Sequence, residues 1–339
     1  TGSLLSNDGV PVDIIWEPLP TDSVLKFYKY SPTAQCSQGA TTAPAQTLPF
    51  AGGRYEDALG NLQSLPTNLS VPGVGSAPSV VDFSAPTPVC ETQVFHEGEP
   101  VFVTLEDHNR NADPALVETV LVTLKSASGD IDEVIELRET GPDTGIFAAV
   151  TQSTTDPVVK GDGKITVGID GWIRGHYQDA SWPADVSEAE VLVDPFGILF
   201  DASDNTPLNG ATVTLVDVNK PGCSAVTSSA DPLLAGCGAT VFMDDGVSPH
   251  PAQVVTGTTV AGNPAVPPGG FRYPLIPPGK YRLVVDPPAG YSLPSSLLPA
   301  CATPPCANGL GRSIVTGSHL QDFIVLPGEG AAAPAEGAA

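Results

Sequence analysis

The chain has 339 residues, with 14 Lys and Arg against 38 Asp and Glu, a formal charge of −24 at pH 7. That charge repels phosphate backbones and anionic membrane surfaces, so no nucleic-acid partner is expected; no apolar run approaches the ~18–20 residues of a membrane helix, so no membrane insertion is expected either. With 35 Gly and 36 Pro, and short Val/Ile/Thr-rich runs bounded by Pro, Gly, Asn or Asp, the composition predicts an all-β protein of about three domains.

Residues 1–22 form an extended N-terminal segment whose one apolar run is "VPVDIIW", with Val10, Val12, Ile14, Ile15 and Trp16 supplying the bulk. The run reads as a strand with no hairpin partner nearby in sequence. A lone strand is stable only when paired, so these residues are candidates for donation to an open sheet edge in a neighbouring copy. In residues 23–96, "SVLKFYKYSP" reads as a good strand, and the Ala/Thr/Pro/Ser/Gly-rich stretch after it carries only weak strand signals. A loop-rich β domain is expected there.

The pattern sharpens over residues 97–193. "EPVFVTLEDHN", "ETVLVTLKSASGD", "DEVIELRETG", "TGIFAAVTQS", "KITVGIDGWIRGHYQD" and "EAEVLVD" are successive short strands at even spacing, which indicates an immunoglobulin-like β-sandwich. Residues 194–327 form another β unit. In "GKYRLVVD", Tyr281, Leu283 and Val285 alternate with Arg282 and Val284, so one face is expected to be core; Pro-Pro-Gly sets the turn before it and Pro287-Pro288 closes it. Residues 328–339, "GEGAAAPAEGAA", are a low-complexity tail. The predicted architecture is a tandem of β-sandwiches with extended tails.

Cys36, Cys90, Cys223, Cys237, Cys301 and Cys306 form an even set without a CxxC pair, which favours disulfides over zinc. The expected bonds are Cys36–Cys90, Cys223–Cys237 and Cys301–Cys306, each of which stays inside one expected domain. Disulfides, together with a first residue that is Thr1 and not Met, suit an exported protein that is secreted or held at a cell surface; a fragment would look the same.

The sharpest chemical constellation is "DHNRNADPALVE". Asp107, Asn109, Asn111 and Asp113 alternate, and Glu118 stands twelfth from Asp107, the ligand spacing of an EF-hand loop. Ala112 occupies the position where an EF-hand needs Gly, and strands flank the segment. Calcium would therefore sit in a strand-loop site, with Glu139, Asp143 or Asp179 as candidates to complete it. The competing reading is an Asx-rich turn whose side chains bond their own backbone. Asp244 and Asp245 in "MDDGVSP" read as a hairpin turn. The five histidines show no HxH or HExxH spacing and no GxSxG occurs, so no enzyme activity is expected.

"DNTPLNGATVTLVD" followed by "PPGKYRLVVDPPAGY" resembles the transthyretin-like B-type repeats of bacterial surface proteins and, more loosely, the carboxypeptidase regulatory-like domain. The resemblance covers residues 194–326 and implies a β-sandwich stalk module. The preceding "EPVFVTLEDHNRNADPALVETVLVTL" and "IELRETGPDTGIFAAV" resemble the immunoglobulin-like module that accompanies such repeats in large exported proteins. Some B-type repeats carry a Lys–Asn isopeptide bond promoted by a glutamate. This chain has Val285 at the glutamate's place and "GILFD" where the lysine would lie, so the resemblance implies the fold without the cross-link.

Two functions follow. The first is a structural subunit of an extracellular filament or surface layer, copies joining head to tail by strand donation. The second is a calcium-dependent adhesin or ligand-binding module of a bacterial surface protein. A polymer subunit needs a detachable edge element, whereas a binding module needs an exposed pocket.

Overall fold

The computed structural model describes residues 22–50, 52–75, 77–130, 132–293 and 320–328 in full, and the backbone of residues 2–5 and 11–14. Strands dominate, as the composition predicts, and they form two main bodies.

The first body is one 13-stranded sheet rolled into a sandwich. From one edge, Val94–Phe95, Val186–Val193, Gly171–Gln178, Thr119–Ser126 and Glu133–Glu139 run side by side; Ile146–Thr154, Pro100–Glu106, Val24–Tyr30, Thr87–Glu91 and Gln46–Leu48 continue the path. Glu133–Glu139 is the corner. It pairs along six residues of Thr119–Ser126 but shares only Arg138↔Ala148 and Glu139↔Phe147 with Ile146–Thr154. The second half therefore folds over the first. Gly175 makes this close approach possible, because a Cβ there would meet the side chains of Leu25 and Phe27. Between the layers lie Val101, Val103, Leu105, Val122, Leu124, Ile135, Leu137, Phe147, Ile165 and Ile173, all fully buried.

The expected boundary between residues 96 and 97 is corrected here. Val24–Tyr30 lies between Pro100–Glu106 and Thr87–Glu91 in the same sheet, so residues 23–96 are not a separate domain. The physical reason is Pro100–Glu106 itself, whose seven residues are buried except Glu106. Val101, Val103 and Leu105 face the sandwich core; Phe102 faces the other way with Ala148 and Val150, and needs its own cover. The loop-rich stretch provides it. Leu48, Phe50, Leu69, Val71 and Val81 pack there, with the Phe50 and Phe102 rings edge to face at 4.8 Å. The Cys36–Cys90 disulfide ties the hairpin Gln35–Gln38/Thr41–Pro44 to Thr87–Glu91.

The second body holds a four-stranded antiparallel sheet in the order Gln253–Val255, Thr212–Asp217, Gly279–Asp286, Asp322–Val325. Short two-stranded ladders flank it: Gly197–Ile198 with Gly270–Phe271, and Val241–Phe242 with Pro249–His250. Tyr281, Leu283 and Val285 face the core with Tyr273, Ile276 and Phe323. The expectation that only one face is buried is also corrected. Val284 is 1% exposed and packs with Val216, Val218, Val226 and Leu234 beneath the segment closed by the Cys223–Cys237 disulfide. Cys301 and Cys306 lie outside the described residues, as does the tail beyond Gly328.

At the N-terminus, Pro11–Ile14 pairs antiparallel with Gly2–Leu5, Val12 opposite Leu4 and Ile14 opposite Gly2. The segment holding Val12 and Ile14 therefore has a hairpin partner, contrary to the expectation of a lone strand. That partner is "GSLL", too short and too Gly-rich at its start to stand out as a strand. Val10, Ile15 and Trp16 lie outside the described residues. Among the described residues, this hairpin shares no ladder with any other strand.

Candidate functional site

Two clusters of ionisable side chains stand out. One lies at an end of the sandwich and the other at the junction of the two bodies.

The sandwich end collects the strand-ending loops. Asp107 follows Pro100–Glu106 and caps a 3-10 turn over His108–Arg110, its Oδ1 accepting from the Asn109 amide at 3.0 Å. Gly171–Gln178 ends at Asp179, and Asp185 precedes the strand Val186–Val193 that returns from the same hairpin. These three chain positions bring Asp107, Asp179 and Asp185 together, with one carboxylate oxygen from each within 4.8 Å of the others. All three are buried, at 1%, 0% and 3% exposure. Tyr177 donates to Asp107 Oδ2 at 2.7 Å, Ser23 donates its amide and hydroxyl to Asp185, and Ser181 donates its amide to Asp179 Oδ1 at 2.7 Å. Arg110 stands 3.7 Å from Asp179. Burial, and then the charges of Asp179 and Asp185, hold the Asp107 carboxyl above its usual range.

Among the carboxylates of the EF-hand-like set, Asp107, Asp113 and Glu118, only Asp107 belongs to this cluster, beside Asp179, one of the residues expected to complete the site. Asn111 donates to Asp143 at 2.9 Å. Asp113 caps its own turn at the Ala115 amide, while its amide donates to Glu118 Oε1. Glu139 accepts from the Thr144 and Gly145 amides and holds the 140–145 turn. Those residues shape loops. The physical reason is that an EF-hand loop is closed by flanking helices, whereas here the segment spans from one strand to another across the sandwich end. Asp185 was not among the sequence candidates. Its signal is the hairpin "QDASWPADV", with an aspartate at each base next to the end of the Asp107 strand.

The junction is built by register. Val94–Phe95 pairs in parallel with Leu192–Val193, so the next residues, His96 and Asp194, leave the sheet side by side. His96 Nδ1 lies 2.5 Å from Asp194 Oδ1, with both side chains buried. Arg272, from the second body, reaches across. Its guanidinium lies 3.3 Å from Asp194 Oδ1 and makes paired bonds of 2.5 and 2.8 Å to Asp244. Burial pulls the His96 ring down, but the Asp194 charge and hydrogen bond outweigh it and hold the imidazole in its charged form to higher pH. Burial pushes Asp194 up, and His96 and Arg272 together bring it below the ordinary range. Because Arg272 already compensates Asp194 and Asp244, the His96–Asp194–Asp244 group is an ion-pair network and needs no metal.

Other contacts reinforce this junction. The Gly75 amide donates to the Gly246 carbonyl, and the Ile324 amide donates to the Gly39 carbonyl, so the last described strand is strapped onto the Gln35–Gln38/Thr41–Pro44 hairpin. A polar groove lies alongside, lined in part by Asn68, Ser70, Gln152, Lys164 and Asp244.

No protein-family model matches this sequence, and no curated protein matches it. Among solved structures, the chain is similar to the major pilin subunit of Bacillus cereus at 11% identity and a TM-score of 0.16, covering 90% of this chain and 91% of that one. A likeness that weak carries no argument about function. The class that the structure defines is an all-β protein of two joined β bodies.

Proposed function

We propose that the chain is a structural subunit of an extracellular filament or surface layer, in which copies join head to tail through the N-terminal segment. The observation that carries this reading is the N-terminal hairpin, Gly2–Leu5 with Pro11–Ile14, which belongs to neither body's sheets among the described residues. An isolated two-stranded hairpin is marginal in water and becomes stable when it adds to a larger sheet. The donated element is thus a hairpin and not a single strand. Gln253–Val255 is a suitable acceptor: it is an edge of the second body's sheet, with Val255 39% exposed, whereas the opposite edge is strapped by Gly39. A hairpin at one body and an acceptor on the other make a heterologous contact, which propagates into an open filament unless its rotation closes a ring. The disulfides support assembly in an oxidising compartment, outside the cytosol.

Deleting residues 1–20 tests this. The truncated chain should remain folded and elute as a monomer at concentrations where the full chain forms polymers. A truncated chain that still polymerises would rule out the N-terminal segment as the joint.

A further inference from the structure

We propose that Asp107, Asp179 and Asp185 form a binding site for one divalent calcium ion at the point where the N-terminal segment enters the sandwich. Charge is the first argument. Three buried carboxylates with oxygens inside 4.8 Å face one guanidinium, Arg110 at 3.7 Å, and the two negative charges left over match one divalent cation. Uncompensated charge in such a place is strongly unfavourable. The second argument is independent of charge. Asp179 is 0% exposed, its Oδ1 is taken by the Ser181 amide and Arg110, and its Oδ2 is a buried atom with no hydrogen-bond partner. A buried carboxylate oxygen left open beside two further carboxylates is a ligand position.

The donor set selects the ion. Carboxylate and hydroxyl oxygens with no imidazole or thiolate favour a hard cation over zinc. Calcium accepts about six to eight oxygens in irregular geometry, whereas magnesium demands a near-ideal octahedron at about 2.0–2.1 Å. Carboxylates fixed by their own strand ends and hydrogen bonds suit the more tolerant ion. Asp185 also holds the Ser23 amide and hydroxyl, so an ion at this site would fix the root of the N-terminal segment. The site belongs to the folded chain and stands whether or not that segment joins copies.

Isothermal titration of the chelator-treated full chain with calcium chloride tests the assignment, alongside melting in calcium and in chelator. We expect one calcium per chain and a midpoint raised by about 5 °C when calcium is a hundredfold above its Kd. Asp179→Asn should abolish both responses, yet melt in chelator no lower than the wild type, since it removes like-charge repulsion. Asp113→Asn, in the neighbouring turn, should keep both. Asp107→Asn gives the same reading as Asp179→Asn if that variant folds poorly. Wild-type protein that takes up no calcium and melts identically in calcium and chelator would overturn the site. Binding retained in Asp179→Asn, or an equal response to magnesium alone, would overturn the assignment as well.

Discussion

Replacing Arg272 with methionine should destabilise the protein by about 3 kcal/mol. The wild-type guanidinium is 2% exposed and compensates both Asp194, at 0%, and Asp244, at 29%. Methionine keeps much of the volume but leaves the buried Asp194 with His96 alone. Removing one partner of a buried pair costs about 3–5 kcal/mol. The lower end applies because His96 stays 2.5 Å from Asp194, and because Asp244 can turn to solvent. Combining Arg272→Met with Asp194→Asn should restore part of the loss, a coupling of about 1–3 kcal/mol between residues in one network. Guanidinium unfolding of the full chain measures both, followed by far-UV circular dichroism and by tryptophan fluorescence. Trp172 and Trp182 both report on the first body, so coincident transitions in the wild type would show that the junction couples the two bodies. A loss below 1 kcal/mol for Arg272→Met, or additive single and double changes, would refute the idea that this network holds the junction.

Changing Cys36 and Cys90 together to serine should cost about 4 kcal/mol, and changing Cys223 and Cys237 about 3 kcal/mol, since the loops they close span 54 and 14 residues; denaturant midpoints of the two double variants check the order. Phe102→Ala should cost about 3–5 kcal/mol by opening a cavity between the sheet and its covering loops, and limited proteolysis should then cut first within residues 48–83. Burial pushes the Glu133 carboxyl up to about 7, against the bonds it accepts from the Gly161 and Gly163 amides. The folded state therefore keeps a proton that the unfolded state loses near pH 4.5, so stability falls as pH rises from about 4.5 to 7, by at most about 3 kcal/mol. Glu133→Gln should flatten that part of the stability profile.

Much of the fold was legible where local pattern decides it. The strands of residues 97–193 alternate or run apolar between turn residues, and each appears in the structure. Cys223 and Cys237 are 14 residues apart, and Cys36 and Cys90, 54 apart, fall inside one expected unit, so both bonds agree with the pairing expected from the sequence. What escaped is long-range. "PVFV" is continuously apolar and Leu105 follows after one Thr, the mark of a strand buried on both faces, and that pattern implies the outer layer built by Leu48, Phe50, Leu69, Val71 and Val81. "YRLVV" likewise hides a second buried face behind Arg282, whose guanidinium reaches the Asp322 carboxylate and the Val226 carbonyl while its stem lies in the sheet. The EF-hand spacing picks out Asp107 with neighbours in its own loop, and the structure sets Asp107 beside Asp179, an expected completing residue, and Asp185, which the spacing does not reach. Linear spacing describes one loop, and here the carboxylates come from three loops that the sheet brings together.

The central claim, that this chain is an assembling structural subunit, is tested most directly by negative-stain electron microscopy of the purified full chain across a rising concentration series. Filaments or layers with a constant repeat should appear with increasing concentration and be missing when residues 1–20 are deleted. Monodisperse single particles of the full chain at every concentration would contradict it.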